Sequence, residues 1–319
     1  MRHDLLVNVA KLYYEQQLPQ REIARRLGIS RSSVSNLLQQ SRDQGIVEIR
    51  INDSSTHAQR MQRELCARFG LANAIVLPSD PDPEQAKVHV GRAAAGLVEP
   101  LLHDGVRIGI SWGTTLYQLV RHITPAALND VEVIQLHGGL GAGNPDIDGF
   151  GLAQKLAEKL HGSYRIMQAP IFVQSVELRR LLMQEPGISA ALKSGAGADI
   201  ALFGIGSNLP GISSLVRTGY LAEEESLALL SAGAIATVCG LQIRADGAVF
   251  PSDLNDRLVG IDCDTLLRIP VRVGAAAGEN KADAVLAAIR GRFVTALVVD
   301  EAIASRVLAF PPDPREPTP

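Results

Sequence analysis

A serine near the middle of the chain has the surroundings of a nucleophile. Residues 109–113 read Gly-Ile-Ser-Trp-Gly, the pattern G-x-S-x-G, between an apolar alternating run and a helix-like run. That strand–turn–helix order is the one in which a nucleophile elbow exposes a serine, here Ser111. The stretch continues as Gly113-Thr114-Thr115, which suits a loop that holds an anion at a helix N-terminus. The first interpretation makes the chain a hydrolase, and the second makes it a binding protein.

The positions of the histidines argue against the hydrolase. An α/β-hydrolase needs an acid and then a histidine after its nucleophile. The seven histidines are residues 3, 57, 89, 103, 122, 137 and 161, so none lies beyond residue 161. His122 falls in the helix that directly follows the serine, and His137 and His161 come too early for the expected order. We therefore expect no catalytic serine, and we favour anion binding over a purely structural turn.

Two later segments place polar side chains where a strand meets a helix or a turn. In "AAAGENKADAVLAAI", Glu279 and Lys281 stand at such a junction, and the lysine is a point charge suited to phosphate. An ordinary solvated lysine at a helix start fits the pattern equally well. In "VFPSDLNDRLVGI", the short side chains of Asp253 and Asn255 can bind sugar hydroxyls or cap the turn themselves.

The elements that must position these residues alternate along the chain from Ala74 onward. Apolar strand candidates are separated by amphipathic helices; the candidates are "AIVLP", "VRIGIS", "VEVIQLHGG", "YRIMQAP", "DIALFGIG", "AIATVCG", "RIPVRVGAAAG" and "TALVVD". Such alternation predicts a doubly wound α/β fold with a parallel sheet covered on both faces. Ligands in such sheets bind beyond the carboxyl ends of the strands. The glycine-bearing segments fall there, at residues 111–115, 138–141, 204–207 and 274–278.

The N-terminal part has a different organisation. Residues 5–17 have helical apolar spacing, and two short helices follow at residues 20–27 and about 31–44. Gly28 stands in the turn, Ser30 is a natural N-cap, and Gly45 ends the second helix. This is the helix-turn-helix arrangement, whose second helix enters the DNA major groove. The alternating "GIVEIRI" that follows predicts a strand, which can form a small wing.

The predicted DNA-binding side chains are polar or basic and lie on or beside the second helix. They are Gln20, Arg21, Arg25, Arg31, Ser32, Ser33, Ser35, Asn36, Gln39 and Arg42. Base-edge contacts are expected from Arg31, Ser33, Ser35 and Asn36. Phosphate contacts are expected from Arg21, Arg25 and Arg42. A solvated polar helix face is the other interpretation of the same pattern.

Composition bounds the class of protein. The 319 residues are enough for about two domains, and the hydrophobic fraction of 46% allows a sizeable core. The net charge of −3 excludes a uniformly basic coat, although residues 18–50 carry a local charge of +3. The three cysteines have no metal-ligand spacing, so we expect no metal, no cofactor and a reduced cytoplasm. No signal peptide and no membrane span are expected.

Taken together, the motifs resemble those of the SorC family of sugar-responsive bacterial transcription regulators over nearly the whole chain. The N-terminal stretch "AKLYYEQQLPQREIARRLGISRSSVSNLLQQSRDQGIVEIRI" resembles the family's DNA-binding head. The later motifs follow in the family's order: "GISWGTTLYQLV", "VIQLHGGLG", "SVELRRLLMQEP", "ADIALFGIGS", "SSLVRTGYL", "LNDRLVGI" and "GENKADAVLAAIRG". Each motif alone is weak, but together they are highly specific.

The resemblance implies a winged helix-turn-helix joined to an effector domain similar to glucosamine-6-phosphate deaminase and ribose-5-phosphate isomerase. It implies binding of a sugar phosphate, sugar or polyol, assembly into a dimer or tetramer, and control of a carbohydrate operon. Phosphate would be held by Gly113, Thr114, Thr115 and Lys281, and sugar hydroxyls by Asp253 and Asn255. Two departures stand out. His137 replaces a lysine that forms a Schiff base in some members, and Asn280 replaces a frequent histidine.

The prediction from sequence is a regulator with three parts: a DNA-binding domain over residues 1–53, an effector and oligomerisation domain over 54–311, and a disordered tail over 312–319. The expected effector contacts are Ser111, Gly113, Thr114, Thr115, Gly138, Gly139, Gly204, Gly206, Asp253, Asn255, Glu279 and Lys281. The alternative is a sugar-phosphate isomerase or deaminase fused to a DNA-binding head, with Glu279 or Asp253 as its general base. A third possibility is a domain that has lost ligand binding and only assembles the oligomer.

Overall fold

The computed structural model describes residues 2–43, 46–47, 54–141 and 146–311. Residue contacts divide the chain into two compact units, one through Asp53 and one from Ser54 onward. Each unit has its own hydrophobic core.

The first unit is helical. Its helices are α1 (Arg2–Ala10), which continues as a π-helical turn over Lys11–Glu15, α2 (Gln20–Leu27) and α3 (Arg31–Asp43). The apolar faces of the three helices meet in one small core, made of Val9, Leu12, Ile23, Ala24, Val34 and Leu38. The buried Ser41 hydroxyl of α3 lies 2.8 Å from the Leu37 carbonyl of the same helix and 3.2 Å from the Leu6 carbonyl of α1, so it is shared between the two helices. The helices predicted from apolar spacing are therefore confirmed.

The turn between α2 and α3 also follows the predicted chemistry. Gly28 adopts the left-handed conformation, with φ 64° and ψ 30°, and its N–H donates to the Ala24 carbonyl. Ser30 caps α3, because its hydroxyl oxygen accepts a hydrogen bond from the Ser33 N–H at 3.0 Å. The predicted C′ glycine, Gly45, and most of the predicted wing strand lie outside the described residues.

The second unit contains a nine-stranded sheet. Its strands are β1 (Asn73–Leu77), β2 (Arg107–Ile110), β3 (Glu132–Gln135), β4 (Ser163–Arg165), β5 (Ile200–Ser207), β6 (Ala234–Val238), β7 (Leu241–Arg244), β8 (Val271–Ala276) and β9 (Ala296–Asp300). Seven strands are parallel in the order β1-β9-β8-β5-β2-β3-β4. After β4 the chain returns to the other side of β2, so β2 and β5 flank the point where strand order reverses.

Helices cover both faces of this sheet, as the sequence predicts. They are α4 (Ser54–Phe69), α5 (Pro83–Val98), α6 (Thr114–His122), α7 (Gly149–Leu160), α8 (Val176–Leu182), α9 (Pro186–Ala196), α10 (Ser214–Arg217), α11 (Glu223–Ser231), α12 (Asp253–Asp256), α13 (Cys263–Arg268), α14 (Ala282–Arg290) and α15 (Glu301–Ala309). In β5, Leu202 packs into the cluster built with α5, α6 and α7, while Phe203 packs into the cluster built with α4, α14 and α15. Successive side chains thus enter opposite cores, which explains the continuous apolar strands.

Two strands differ from the prediction. The strand predicted over "YRIMQAP" is shorter in the structure, where β4 ends at Arg165. The segment "LQIR" after Gly240 forms β7, which pairs antiparallel with β6 in a hairpin that the sequence analysis missed. Both turn residues of this hairpin have positive φ, 48° at Cys239 and 88° at Gly240. A Cys-Gly turn lacks the Asn-Gly or Asp-Gly signal that marks such hairpins in sequence.

Candidate functional site

The loop between β2 and α6 lies at the point where strand order reverses. Gly113 has φ 133° and ψ 160°, a conformation that strongly favours glycine, and it stands at the N-cap of α6. Its N–H donates to the Ile147 carbonyl at 3.0 Å, which fixes the loop. Thr114 and Thr115 therefore form the first turn of a nine-residue helix, and their N–H groups lie at its positive end.

Two adjoining cavities open at this loop. The inner cavity, about 50 Å³, is lined by residues of the β2–α6 loop, of β5, of the segment after β5, of the β6–β7 hairpin and of the turn between β8 and α14: Ser111, Trp112, Gly113, Thr114, Thr115, Gly204, Ile205, Gly206, Ile212, Ser214, Arg217, Thr237, Cys239 and Lys281. The outer cavity, about 700 Å³, adds Lys87, Glu279 and Arg306 among others. Thr114, Ile212, Arg217 and Lys281 line both cavities, and we call this shared boundary the neck.

The neck is positively charged. Burial, together with the positive charges of Arg217 and Lys87, lowers the pKa of Lys281 to about 8, while Asp300 acts in the opposite direction. The Asp300 carboxylate is already engaged, since it accepts the N–H groups of Gly278 at 2.5 Å and Ile303 at 2.9 Å. Within the described part of the chain, neither Lys281 nor Arg217 forms an ion pair with a carboxylate. An anion at the neck would relieve this repulsion.

Ser111 has a histidine partner that the sequence analysis did not foresee. Its hydroxyl lies 2.8 Å from the Nε2 atom of His137, and both side chains are buried. The order of the histidines argued against a hydrolase triad but did not reveal this contact, because order along the chain does not predict distance across neighbouring strands. The strands β2 and β3 pair directly.

The Ser111–His137 pair nevertheless lacks the groups that activate a nucleophile. The Nδ1 atom of His137 lies 2.8 Å from the Gly138 carbonyl rather than from a carboxylate. Burial lowers the pKa of His137 to about 4, so the imidazole is neutral near pH 7 and a weak proton acceptor. The Trp112 ring packs edge-on against it, with ring centroids 4.6 Å apart.

The acidic turn after β7 has its polar atoms committed elsewhere. Asn255 accepts the Gln242 N–H at 2.8 Å and donates to the carbonyls of Phe250 at 2.7 Å and Gln242 at 3.1 Å. Asp253 pairs with Arg257 at 2.7 Å. Neither Asp253 nor Asn255 lines the inner or outer cavity. The structure therefore favours the turn-capping interpretation of these side chains over contact with a ligand in either cavity.

The predicted glycines divide into two groups. Gly204 and Gly206, in β5, line the inner cavity. Gly138 and Gly139 do not line either cavity. Their N–H groups donate to the carbonyls of Val259 at 2.9 Å and Ala169 at 2.8 Å, so they join β3 to neighbouring segments. Glu279 lines the outer cavity and lies 3.8 Å from Arg306.

A buried polar network supports the wall of the inner cavity. The Thr237 hydroxyl lies 3.3 Å from both Asn208 Oδ1 and Gln242 Oε1. Asn208 Nδ2 donates to Gln242 Oε1 at 2.6 Å and to the Ala234 carbonyl at 2.8 Å. Because the Gln242 N–H donates to Asn255, the network joins the cavity wall to the acidic turn.

In the first unit, α3 presents a continuous polar surface. Its exposed residues are Arg31, Ser32, Ser35, Asn36 and Gln39, opposite the buried Val34 and Leu38. Arg21 and Arg25, on α2, are also exposed, while Gln20 is half-buried. The Ser33 hydroxyl points to the cap, 2.8 Å from the Ser30 hydroxyl, which makes it a weaker candidate for base contact. The side chain of Arg42 lies outside the described residues.

Comparison with known proteins assigns both units. The family "Putative sugar-binding domain" matches residues 53–309, and the MarR family matches residues 3–59. The chain is 32% identical to the transcriptional regulator LsrR of Enterobacter sp. strain 638, covering 96% of this chain and 93% of that protein. It is 30% identical to the deoxyribonucleoside regulator of Bacillus subtilis, covering 94% and 96%.

A solved structure is similar over the same length. The full-length sorbitol operon regulator SorC from Klebsiella pneumoniae matches with a TM-score of 0.75 and 29% identity, covering 96% of this chain and 98% of that one. This chain belongs to the SorC family of sugar-binding transcriptional regulators. The resemblance inferred from the ordered sequence motifs is thereby confirmed, as are a helix-turn-helix unit and a mostly parallel α/β unit.

Within this SorC-family chain, several cavity residues were missed from sequence. Arg217, Thr237 and Cys239 line the inner cavity, and Lys87 lines the outer one. Arg217 lies in the "SSLVRTGYL" motif, which was a signal that could have led to it. Thr237 and Cys239 belong to the unrecognised hairpin, and Lys87 lies on α5, far from any glycine-rich loop.

Two further observations concern membrane-spanning helices and metal sites. In the ranges that the structure covers, no helix combines the length and apolar character needed to cross a bilayer. Across the same ranges, no cluster of three His, Cys, Asp or Glu side chains has the geometry of a metal site.

Proposed function

We propose that the chain is a DNA-binding regulator of a carbohydrate operon, controlled by a phosphorylated sugar or polyol bound at the carboxyl ends of β2, β5 and β8. One observation carries the proposal: Lys281 and Arg217 meet at the neck without a carboxylate partner among the described residues, beside the N-terminus of α6. Two mutually repelling cations beside a helix N-terminus form a site for a dianion.

The phosphate lies at the neck in this proposal. The N–H groups and hydroxyls of Thr114 and Thr115 donate to its oxygens, and Lys281 and Arg217 supply the opposite charge. Lys87 adds a weaker, more distant attraction, because its ammonium already pairs with Glu84 at 2.5 Å. A dianion makes such charge-assisted hydrogen bonds stronger than those that an uncharged polyol can make.

The remainder of the effector meets hydroxyl-bearing walls. Ser111, Ser214 and Thr237 line the inner cavity, and the strand-end glycines Gly204 and Gly206 leave space beside them. Polyhydroxylated compounds fit such a surface because each hydroxyl can donate and accept. Relatives named for a sorbitol operon and for deoxyribonucleosides support an effector of this chemistry.

The DNA contacts come from the first unit. We assign base-edge contacts to the exposed Arg31, Ser35 and Asn36, and phosphate contacts to Arg21, Arg25 and Arg42. One small helix-turn-helix makes too few contacts for operator-grade affinity, so two or four heads act together in a dimer or tetramer. The DNA-binding domain is residues 1–53, the effector and oligomerisation domain is 54–311, and the protein acts in the cytoplasm.

Control follows if the effector binds one conformation of the assembled effector domains better than another. That difference in affinity changes the spacing or mobility of the DNA-binding heads, and linkage requires that DNA and effector alter each other's affinity by the same factor.

An enzyme is the competing function, and one observation keeps it testable: Glu279 lies on the outer cavity, within reach of a bound ligand as a general base. Incubating the full-length protein with ketose and aldose phosphates separates the two functions. A regulator returns each substrate unchanged, whereas steady conversion to an isomer or loss of an amine from an amino sugar overturns the sensor-only proposal.

A thermal-shift screen tests the binding proposal. A phosphorylated effector at a hundred times its dissociation constant stabilises the protein by about 2.7 kcal/mol. Lys281→Met and Arg217→Met should abolish that shift, while Lys193→Met, which removes an exposed lysine on α9, should retain it. The proposal fails if free polyols shift the melting temperature and phosphorylated ones do not, or if Lys281→Met binds the phosphate ester normally.

A further inference from the structure

The proposed phosphate site does not use the buried Ser111–His137 pair, although Ser111 lines the inner cavity. We infer that His137 fixes Ser111 as a pure hydrogen-bond acceptor toward the cavity, so that the effector must present a hydroxyl donor at this position. This inference rests on the proposed function, and it adds which chemical group of the effector is recognised at the inner end.

The proton positions follow from the partners of the imidazole. A carbonyl oxygen only accepts hydrogen bonds, so the Nδ1 atom of His137, 2.8 Å from the Gly138 carbonyl, carries the proton. The neutral ring then has an unprotonated Nε2, which accepts the hydroxyl proton of Ser111 across 2.8 Å. The opposite tautomer would place two lone pairs against each other at the Gly138 carbonyl.

The environment holds this tautomer in place. His137 is fully buried, and Trp112 packs edge-on against its ring. Burial disfavours the charged imidazolium, which would make Nε2 a donor. Ser111 is held as well, because its N–H donates to the Leu202 carbonyl of β5 at 2.9 Å. Neither side chain can therefore reverse the direction of the hydrogen bond without leaving its position.

The lone pairs of Ser111 remain available on the cavity side. A hydroxyl has one proton and two lone pairs, and the proton is committed to His137. The acceptor positions of the Ser111 hydroxyl are therefore left for the ligand in the inner cavity. A ligand hydroxyl can donate to them, whereas a phosphate or carboxylate oxygen would meet them lone pair to lone pair.

This polarity gives the two ends of the inner cavity opposite preferences. The neck, with Lys281 and the N–H groups of α6, attracts an anion, and Ser111 rejects one. A phosphorylated polyol therefore binds in one orientation, with its phosphate at the neck and a hydroxyl at Ser111.

Calorimetry with the full-length protein tests whether Ser111 recognises a ligand hydroxyl. The three probes are inorganic phosphate, D-ribose 5-phosphate and D-sorbitol 6-phosphate. Ser111→Ala should weaken whichever ester binds more tightly by about two- to tenfold, the effect of losing one uncharged hydrogen bond, and should leave inorganic phosphate unchanged. His137→Leu should have the same effect, because it frees the Ser111 proton. His137→Gln, whose amide oxygen can still accept that proton, should retain ester affinity within about twofold of wild type.

The tautomer is tested separately, by ¹⁵N NMR of histidine-labelled protein with His137→Gln to identify the signal. Protonated Nδ1 and unprotonated Nε2 are expected, and a protonated Nε2 overturns the inference. It is also overturned if Ser111→Ala weakens inorganic phosphate and the ester equally, or changes neither. If Lys281→Met loses phosphate binding while Ser111→Ala keeps the wild-type preference for the ester, the proposed function stands and only this inference fails. If wild type binds none of the three probes, both fail.

Discussion

Lys281 and Arg217 face the same neck between two cavities, and the positive charge of Arg217 adds to burial in lowering the pKa of Lys281 to about 8. Among the described residues, neither cation forms an ion pair with a carboxylate. The nearby Asp300 carboxylate instead accepts hydrogen bonds from two backbone N–H groups. Repulsion between the two cations therefore raises the free energy of the folded protein, and in the proposed function a bound dianion would offset it. This proposal makes distinct predictions for stability and for ligand response.

Lys281→Met should stabilise the ligand-free protein. The shift from the ordinary pKa of 10.5 to about 8 corresponds to a cost of up to about 3 kcal/mol at neutral pH, and methionine fills similar space without charge. Differential scanning calorimetry should show a higher melting temperature than wild type, by about 2–4 °C per kcal/mol. The exposed Lys193→Met serves as the control and should leave the melting temperature unchanged. The account is contradicted if Lys281→Met melts at a lower temperature than wild type while Lys193→Met does not.

The same shift predicts a pH dependence. Between pH 8 and 10.5 the unfolded chain holds a proton on Lys281 that the folded protein has released, so the free energy of unfolding rises with pH in this window. The stability difference between Lys281→Met and wild type should therefore be largest below pH 8 and should narrow toward pH 10.5. Urea unfolding at several pH values measures it, and a constant difference from pH 7 to 10.5 would show that the pKa of Lys281 is not lowered.

The buried network behind Thr237 should be essential for stability. Asn208→Ala removes the donor to the buried Ala234 carbonyl and the shorter of the two contacts to Gln242 Oε1, which keeps only the Thr237 hydroxyl at 3.3 Å. Each unsatisfied group costs about 1–3 kcal/mol, so we expect a loss of about 2–4 kcal/mol in urea unfolding. Asn36→Ala, the same substitution on the exposed face of α3, should change stability by less than about 0.5 kcal/mol. Equal unfolding midpoints for the two variants would contradict the network's role.

The exposed residues of α2 and α3 predict two separable effects on DNA. Asn36→Ala should reduce discrimination between operator and scrambled DNA by about 1–3 kcal/mol, because an amide reads a base edge. Arg25→Ala should weaken both DNAs alike and reduce the salt slope by about one, as expected for a phosphate contact. Fluorescence anisotropy at several salt concentrations measures both. Arg26, which pairs with Glu22 at 3.5 Å, is the control position. If Asn36→Ala still discriminates between operator and scrambled DNA as well as wild type does, α3 is not the helix that contacts the base edges.

Local patterns predicted the elements of this protein well. Apolar spacing predicted α2 within its observed bounds, and Gly28 and Ser30 adopt the predicted turn and cap because both conformations depend on a single residue type. The parallel sheet followed from continuous apolar strands whose alternate residues enter two cores. The hairpin of β6 and β7 was missed because its turn is Cys-Gly.

The candidate site was harder to predict because it depends on contacts between distant segments. Thr114, Thr115 and Lys281 were predicted from helix starts, which are local features. Arg217 and Thr237 reach the cavity through the path of the chain after β5, which no local pattern encodes. The pairing of Ser111 with His137 follows from adjacency of β2 and β3, so a rule based on residue order missed it.

The central claim is that a phosphate ester bound at the neck changes affinity for DNA. Fluorescence anisotropy with labelled operator DNA, with and without each sugar or polyol phosphate of a panel, tests it most directly in wild type and Lys281→Met. We predict that one ester changes the wild-type Kd for operator by at least about fivefold and leaves the Kd of Lys281→Met unchanged. An equal response in Lys281→Met, or a response in wild type only to unphosphorylated sugars, would contradict the account.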